Sequence, residues 1–342
     1  MRCIHVIDVQ SKYTIGFIGC GNHGKKLVDI VKNNSDFKIS HIYHPTKSIV
    51  DFVDTNNLED LYHCDGIVIS SPNSTHFEYV KKIIKNSDCM IFCEKPPVTS
   101  LDGIKYLEKL TEKEKKRIFF NFNLRFSILD KFLKKYLNSE ELGKIIQINI
   151  ITSQGLAFKE KYLNDWRSDG KNNLHNIIEN SAIHWIDLMV YNFGKILKAN
   201  YLPRLISNNG TSYDTSSVNL QFETGVVVSI FSSYATPLIE NIMIIGTNGL
   251  ITINDEEIKI SHPRDTFDEN GLFIQPKNNE KINFKFKSNN IDSIKEAVNY
   301  FLEQIKNSNK FNLDYFNSCV YTNKLILEIE EDTSNINSTL SK

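Results

Sequence analysis

Short apolar runs alternate with longer amphipathic stretches over the first 125 residues. TIGFIG, from Thr14 to Gly19, reads as a buried strand, and His23 to Asn33 reads as a helix with Leu27, Ile30 and Val31 on one face. FKISHIYH, DGIVISS and CMIFCE read as further strands, spaced by helical stretches over Thr75 to Lys85 and Ser100 to Leu110. KRIFFNFNLRF, ending at Phe126, reads as one more strand. Strands alternating with helices in this way predict a parallel sheet covered by helices on both faces.

Beyond Phe126 the pattern changes. A helix over Ile128 to Leu137 leads into the strand GKIIQINIITS. SSVNLQFETGVVVSIFSS then gives two apolar runs about the turn Glu223-Thr224-Gly225, and GLITINDEEIKIS repeats that form about Asp255-Glu256. These features predict a second, α+β domain with a large, mostly antiparallel sheet, and a boundary between residues 125 and 126. Residues 263 to 280 read as a long polar loop, and Thr333 to Lys342 as a frayed tail.

A chain of 342 residues is long enough for two cores. The net charge of -1 gives no electrostatic case for a nucleic-acid or anionic-membrane partner, which leaves a small molecule. No run approaches the roughly 18 apolar residues of a spanning helix, and the N-terminus lacks the pattern of a signal peptide, so a cytoplasmic location is expected. Six cysteines are scattered without a paired framework, and no disulfides are expected.

Gly19-Cys20-Gly21-Asn22-His23-Gly24 lies between the first strand and the first helix. There Gly19 suits a tight turn, Gly21 a close backbone approach to a pyrophosphate, and Gly24 close packing of helix on strand. The plainer reading is an ordinary glycine-rich turn. Strand before and helix after favour a Rossmann dinucleotide-binding domain over residues 1–125, giving an α/β fold class overall. Where an NAD site usually offers Asp or Glu to the ribose, this chain has His44-Pro45-Thr46-Lys47-Ser48. Lys47 could hold a 2'-phosphate, which tilts the expected cofactor, NAD(P)(H), toward NADP. His41 and His44, three apart on a strand, point to opposite faces and predict no metal site.

Two strand ends remain: Ser71-Pro72-Asn73 with His76, and Glu94-Lys95-Pro96. Together with the glycine loop and ENSAIHWID, they make the chain resemble the Gfo/Idh/MocA oxidoreductases, named for glucose-fructose oxidoreductase, inositol 2-dehydrogenase and a rhizopine-catabolism enzyme. NLRF around Arg125, DWR at Asp165 to Arg167, YDTSSVNLQFETG and IGTNGLITI extend the resemblance over nearly the whole chain. It implies cofactor contacts from the glycine loop, Ser71, Pro72, Asn73, His76, Glu94 and Lys95, beside those expected of His44 and Lys47 from the loop after the second strand. It also implies that Lys95 reaches the substrate hydroxyl, where an ammonium stabilises developing alkoxide charge. A strand-end lysine paired with a surface carboxylate is the plainer alternative. Family precedent makes a cis Lys95-Pro96 bond plausible.

Glu179 to Gly194 reads as a helix, with Asn180 and His184 on one face and Asp187 a further turn along. By resemblance His184 is the acid-base residue; otherwise it is a core histidine. Asp187 either orients His184 or is a helix-face carboxylate. The family commonly reads Asp-x-Gly-x-His; here Asn180 replaces the acid and can position a hydroxyl without taking its proton. Asn at this position, with Trp166-Arg167, is similar to members acting on nucleotide-linked sugars. Trp166 and Arg167 could bind substrate by stacking and charge pairing, or form a packed aromatic and an ion pair.

The resulting expectation is a hydride-transferring sugar or nucleotide-sugar dehydrogenase. Its catalytic residues are Lys95, His184 and Asn180, with Arg125, Trp166 and Arg167 on the substrate side. A cofactor-dependent glycosidase and a non-catalytic dinucleotide-binding regulator are the alternatives. A homodimer or homotetramer is expected, because a broad sheet with an apolar face needs covering.

Overall fold

The computed structural model describes residues 12–45, 54–137 and 139–340, with backbone alone for 334–340. Two compact units emerge, one of residues up to Asn121 with Lys295–Val320, the other of Phe122–Ile294 with the segment from Tyr321. A single boundary near residue 125 therefore does not describe the division, since a late segment returns to the first unit.

The first unit holds a six-stranded sheet of β1 (Tyr13–Ile18), β2 (Phe37–Tyr43), β3 (Asp54–Thr55), β4 (Gly66–Ile69), β5 (Met90–Glu94) and β6 (Ile118–Asn121). Their order is β3-β2-β1-β4-β5-β6, with every pair parallel. Strands β4, β5 and β6 are buried at every position, as continuous apolar runs covered on both faces must be. Helices α1 (Asn22–Lys32), α2 (Asn73–Asn86) and α3 (Leu101–Lys109) connect successive strands. Ser100 caps α3, its side chain accepting from the Gly103 N–H. The strand expected to reach Phe126 stops at Asn121, and Asn123–Phe126 forms a 3-10 turn. Apolar residues still alternate with polar ones there, Phe122, Leu124 and Phe126 against Asn123 and Arg125, but the Ser127 hydroxyl bonds the Leu124 carbonyl and closes the turn instead.

The second unit is built on eight strands: β7 (Ile145–Ser153), β8 (Ile196–Arg204), β9 (Thr215–Phe222), β10 (Val227–Ser233), β11 (Ile239–Gly246), β12 (Leu250–Ile253), β13 (Glu257–Ser261) and β14 (Asn278–Asn283). Their order is β14-β13-β12-β11-β7-β10-β9-β8. All neighbours are antiparallel except β7 and β10. Ile148, Ile150, Ile242 and Ile244 face Leu129, Phe132 and Leu133 of α4 (Ile128–Tyr136) and Leu188 and Met189 of α5 (Ile183–Phe193). The opposite face presents Ile151 and Leu202, which stand in register through Phe231 and Ser217.

In the C-terminal part the segment expected as a polar loop over 263 to 280 carries no helix or strand as far as Lys277, apart from one bridge between Phe267 and Phe273, and its last three residues open β14, an exposed edge strand held by backbone pairing to β13. After α6 (Phe286–Lys306), helix α7 (Leu313–Leu340) carries helical backbone over Thr333 to Leu340, within the segment expected to fray.

Candidate functional site

In the first unit the glycine loop has the geometry its spacing implies. Gly19 has φ +83°, which an L side chain rarely adopts, and a Cβ there would sit 3.0 Å from the Ser71 backbone. A Cβ on Gly24 would lie 2.7 Å from Ser70 Oγ, so only glycine lets α1 pack this closely on the strand end after β4. Gly21 is different: a Cβ there meets nothing within 4 Å. The space beside Gly21 opens at the start of α1, where backbone N–H groups favour an anion. Asn73 Nδ2, at the start of α2, is shielded from solvent and makes no hydrogen bond among the described residues. An open backbone cradle and a spare buried donor at adjacent strand ends fit a dinucleotide.

Around this loop several predicted residues do structural work. Cys20 is buried, and burial raises its thiol pKa. His76 is fully buried, with Nδ1 2.9 Å from the Pro96 carbonyl and Nε2 2.9 Å from the Ser71 carbonyl. Burial lowers its pKa while the two carbonyls oppose that shift. The ring thus straps the Ser71 turn to the Lys95-Pro96 turn and presents no surface to a ligand, contrary to the expected direct contact. The Lys95-Pro96 bond is cis. Glu94 Oε1 accepts from Asn121 Nδ2 at 2.8 Å and lies 2.7 Å from His23 Nε2. Burial works to raise Glu94, yet the charge and hydrogen bond of His23, the Asn121 amide and Lys95 prevail and hold it at about 2. His44, half-buried, donates its backbone N–H to Thr55. Thr46, Lys47 and Ser48 lie outside the described residues.

In the second unit Asn180 and His184 line one cavity of about 420 Å³, with Thr152, Gln154, Glu240 and Lys287. Asn180 lies in a π-helical turn, Ile177–Ala182, that runs into α5. The helix expected from Glu179 therefore becomes an α-helix only at Ile183, and its wider first turn carries Asn180; such turns recur at functional sites. Asn180 Nδ2 donates to the Tyr234 hydroxyl at 3.2 Å. Burial, joined by the charge of Asp255, raises the pKa of the Glu240 carboxyl. The cavity is polar enough to engage several hydroxyls.

Three other predicted residues lie elsewhere. Arg125 is buried, with Nε 2.7 Å from Asp187 Oδ2 and Nη2 2.6 Å from Oδ1. Asp187 also accepts from Thr322 Oγ1 at 3.1 Å, so its carboxylate is engaged by both Arg125 and Thr322. Arg167 Nη1 is bonded to both oxygens of Asp165, at 3.0 and 3.1 Å, and its guanidinium stacks 4.5 Å from the Trp166 ring centre. Neither Trp166 nor Arg167 lines the cavity.

Gln154, Tyr234, Glu240 and Lys287 were not among the predicted residues. Gln154 and Tyr234 each follow the end of a strand, and the parallel register Ser153 with Ser233 sets those ends side by side. Only that pairing, which apolar alternation does not reveal, could have marked them. Among the described residues no group of three or more metal-type side chains occurs, and no helix is long and apolar enough to cross a membrane.

Two family profiles match the chain. One, described as an oxidoreductase family with an NAD-binding Rossmann fold, covers residues 13–122; the other, the GFO/IDH/MocA C-terminal domain, covers residues 131–252. The chain is 24% identical over 188 residues to glucose-6-phosphate 3-dehydrogenase of Bacillus subtilis (strain 168), spanning 52% of this chain and 53% of that enzyme, about half its length. It is 22% identical over 233 residues to inositol 2-dehydrogenase of Rhizobium meliloti (strain 1021), spanning 64% and 68%. The crystal structure of a myo-inositol dehydrogenase from Corynebacterium glutamicum shares the fold with a TM-score of 0.71 at 18% identity, covering 94% of this chain and 96% of that one.

Proposed function

We propose, from the premise that this chain belongs to the Gfo/Idh/MocA oxidoreductases, that it moves hydride between a nicotinamide dinucleotide and a secondary hydroxyl of a cyclitol or sugar. The observation that carries this reading is the polar cavity that holds His184 and Asn180 together. Bound nicotinamide supplies the hydride acceptor or donor. His184 takes the hydroxyl proton as hydride leaves the same carbon, Lys95 stabilises the developing alkoxide, and Asn180 positions the hydroxyl without accepting its proton. Relatives named for glucose 6-phosphate and inositol support a polyol or sugar substrate.

A nucleotide-linked sugar is the second reading, favoured by Asn180 in place of the usual acid. It loses support from Arg167, whose guanidinium is taken by Asp165. The NADP preference rests on one short loop, His44 to Ser48, of which Thr46, Lys47 and Ser48 lie outside the described residues, so we assign NAD(P)(H) without distinction. The Ile151 and Leu202 face of the large sheet supports a homo-oligomer.

The test is a screen of myo-inositol, glucose 6-phosphate and UDP-linked sugars with NAD(H) and NADP(H), followed by nicotinamide absorbance. Turnover on a cyclitol or simple sugar supports the reading. Turnover on a UDP-sugar alone favours the second. A free sugar released from a glycoside without net cofactor change would point to glycosidase chemistry, and dinucleotide binding with no turnover to a regulator.

A further inference from the structure

His23 stands just ahead of the third glycine, a position the loop pattern leaves open. Its Nε2 lies 2.7 Å from Glu94 Oε1, and that same oxygen accepts from Asn121 Nδ2 at 2.8 Å. Glu94 is the last residue of β5 and Asn121 the last of β6, so a single carboxylate oxygen ties the first turn of α1 to two strand ends. Lys95 follows Glu94 directly in the chain. The Glu94 side chain is 10% exposed and that of His23 42%, so the ion pair is buried on one side and open on the other.

We propose that His23 and Glu94 form a proton-dependent latch: protonated His23 fastens the glycine loop to the strand end that carries Lys95 and sets a positive charge beside the phosphate cradle, so dinucleotide binding weakens as His23 loses its proton. The inference rests on the dinucleotide-binding reading of that loop. His23 would be a positioning residue, with its charge acting on the diphosphate and its hydrogen bond acting on Lys95 through Glu94.

The charged groups that face His23 come from two elements. Glu94, from β5, raises its pKa most; burial opposes this, as do Lys95 beyond the strand end and Lys26 on α1 itself, while the hydrogen bond to Glu94 adds to the rise. The net direction is upward from 6.5. Asn121, from β6, is uncharged. A raised pKa means that the latch is closed below 6.5 and opens as pH rises through the raised value. A bound diphosphate, being anionic, moves the opening to still higher pH, and by linkage its own affinity falls there.

The experiment measures NADH and NADPH dissociation constants by calorimetry on the full chain, from about pH 6 to about pH 9 at fixed ionic strength. It compares wild type with His23→Gln, which can keep a hydrogen bond to Glu94 but no charge, and His23→Lys, which keeps a charge throughout. For wild type the dissociation constant is expected to rise about tenfold across the range, the change produced by a one-unit pKa difference between free and bound protein. The profile should be flat and weak for His23→Gln, and flat and tight for His23→Lys. A ring-proton NMR titration without cofactor should place His23 above 6.5 in wild type and lower in Glu94→Gln.

Two results overturn the latch: wild-type affinity that does not change with pH, or a slope that survives in His23→Gln. Absence of NADH and NADPH binding at every pH would instead remove the dinucleotide reading, and the latch with it.

Discussion

Arg125 and Asp187 meet as a two-point ion pair, Nε to Oδ2 at 2.7 Å and Nη2 to Oδ1 at 2.6 Å, with each side chain 1% exposed. Removing one partner leaves a buried charge uncompensated, which typically costs about 3–5 kcal/mol. Arg125→Leu is therefore expected to lower unfolding stability by that order, measured by chemical denaturation. A variant of unchanged stability but raised KM would return Arg125 to the substrate side.

The glycine loop separates packing from binding. Gly24→Ala places a Cβ against Ser70 Oγ and the Gly19 carbonyl, and overpacking of this kind costs about 1–3 kcal/mol. Gly21→Val enters open space and should leave stability nearly unchanged. If that space receives the phosphates, the substitution should weaken NADH binding by at least about tenfold. Calorimetric binding beside a thermal melt distinguishes the two variants, and equal binding losses would contradict the assignment.

Glu94 makes stability depend on pH at both ends of the scale. Its folded pKa of about 2 lies below the ordinary 4.5, so its contribution is full above 4.5 and lost as pH falls toward 2. Its partner His23 has a raised pKa, so the pair also weakens as pH climbs above 6.5. The stability deficit of Glu94→Gln should thus be largest between 4.5 and 6.5 and narrow on either side. Denaturation midpoints of the variant and wild type across pH test this, and a constant gap would count against the ion pair.

Ile151 is 37% and Leu202 53% exposed on the outward face of the large sheet. If copies of the chain cover that face, Ile151→Glu with Leu202→Glu should shift the assembly toward monomer without unfolding it. Light scattering at matched concentration reads the change; an unaltered mass would place any oligomer contact elsewhere.

The parts legible in the sequence share one property: their partners are close along the chain or enforced by apolar periodicity. β1 and α1 announce themselves because a buried run, a tight turn and an amphipathic face are contiguous. β14 was missed because Asn278–Asn283 has almost no buried side chain and is held by backbone pairing alone. Arg125 was misread because its partner Asp187 is 62 residues away. Arg167 had its partner two residues away, but nothing in the spacing tells a carboxylate that occupies a guanidinium from one that merely neighbours it. His184 and Asn180 were readable as a pair on one helix, whereas Tyr234 and Gln154 reach the same cavity only through the register of β10 on β7.

Hydride transfer by wild type, Lys95→Met and His184→Ala on a polyol or sugar, with NAD(H) and NADP(H), tests the central claim most directly. The account predicts measurable wild-type turnover, folded variants, and kcat lowered about 10²- to 10⁴-fold by His184→Ala, with a comparable loss in Lys95→Met. Full turnover in either variant would contradict it.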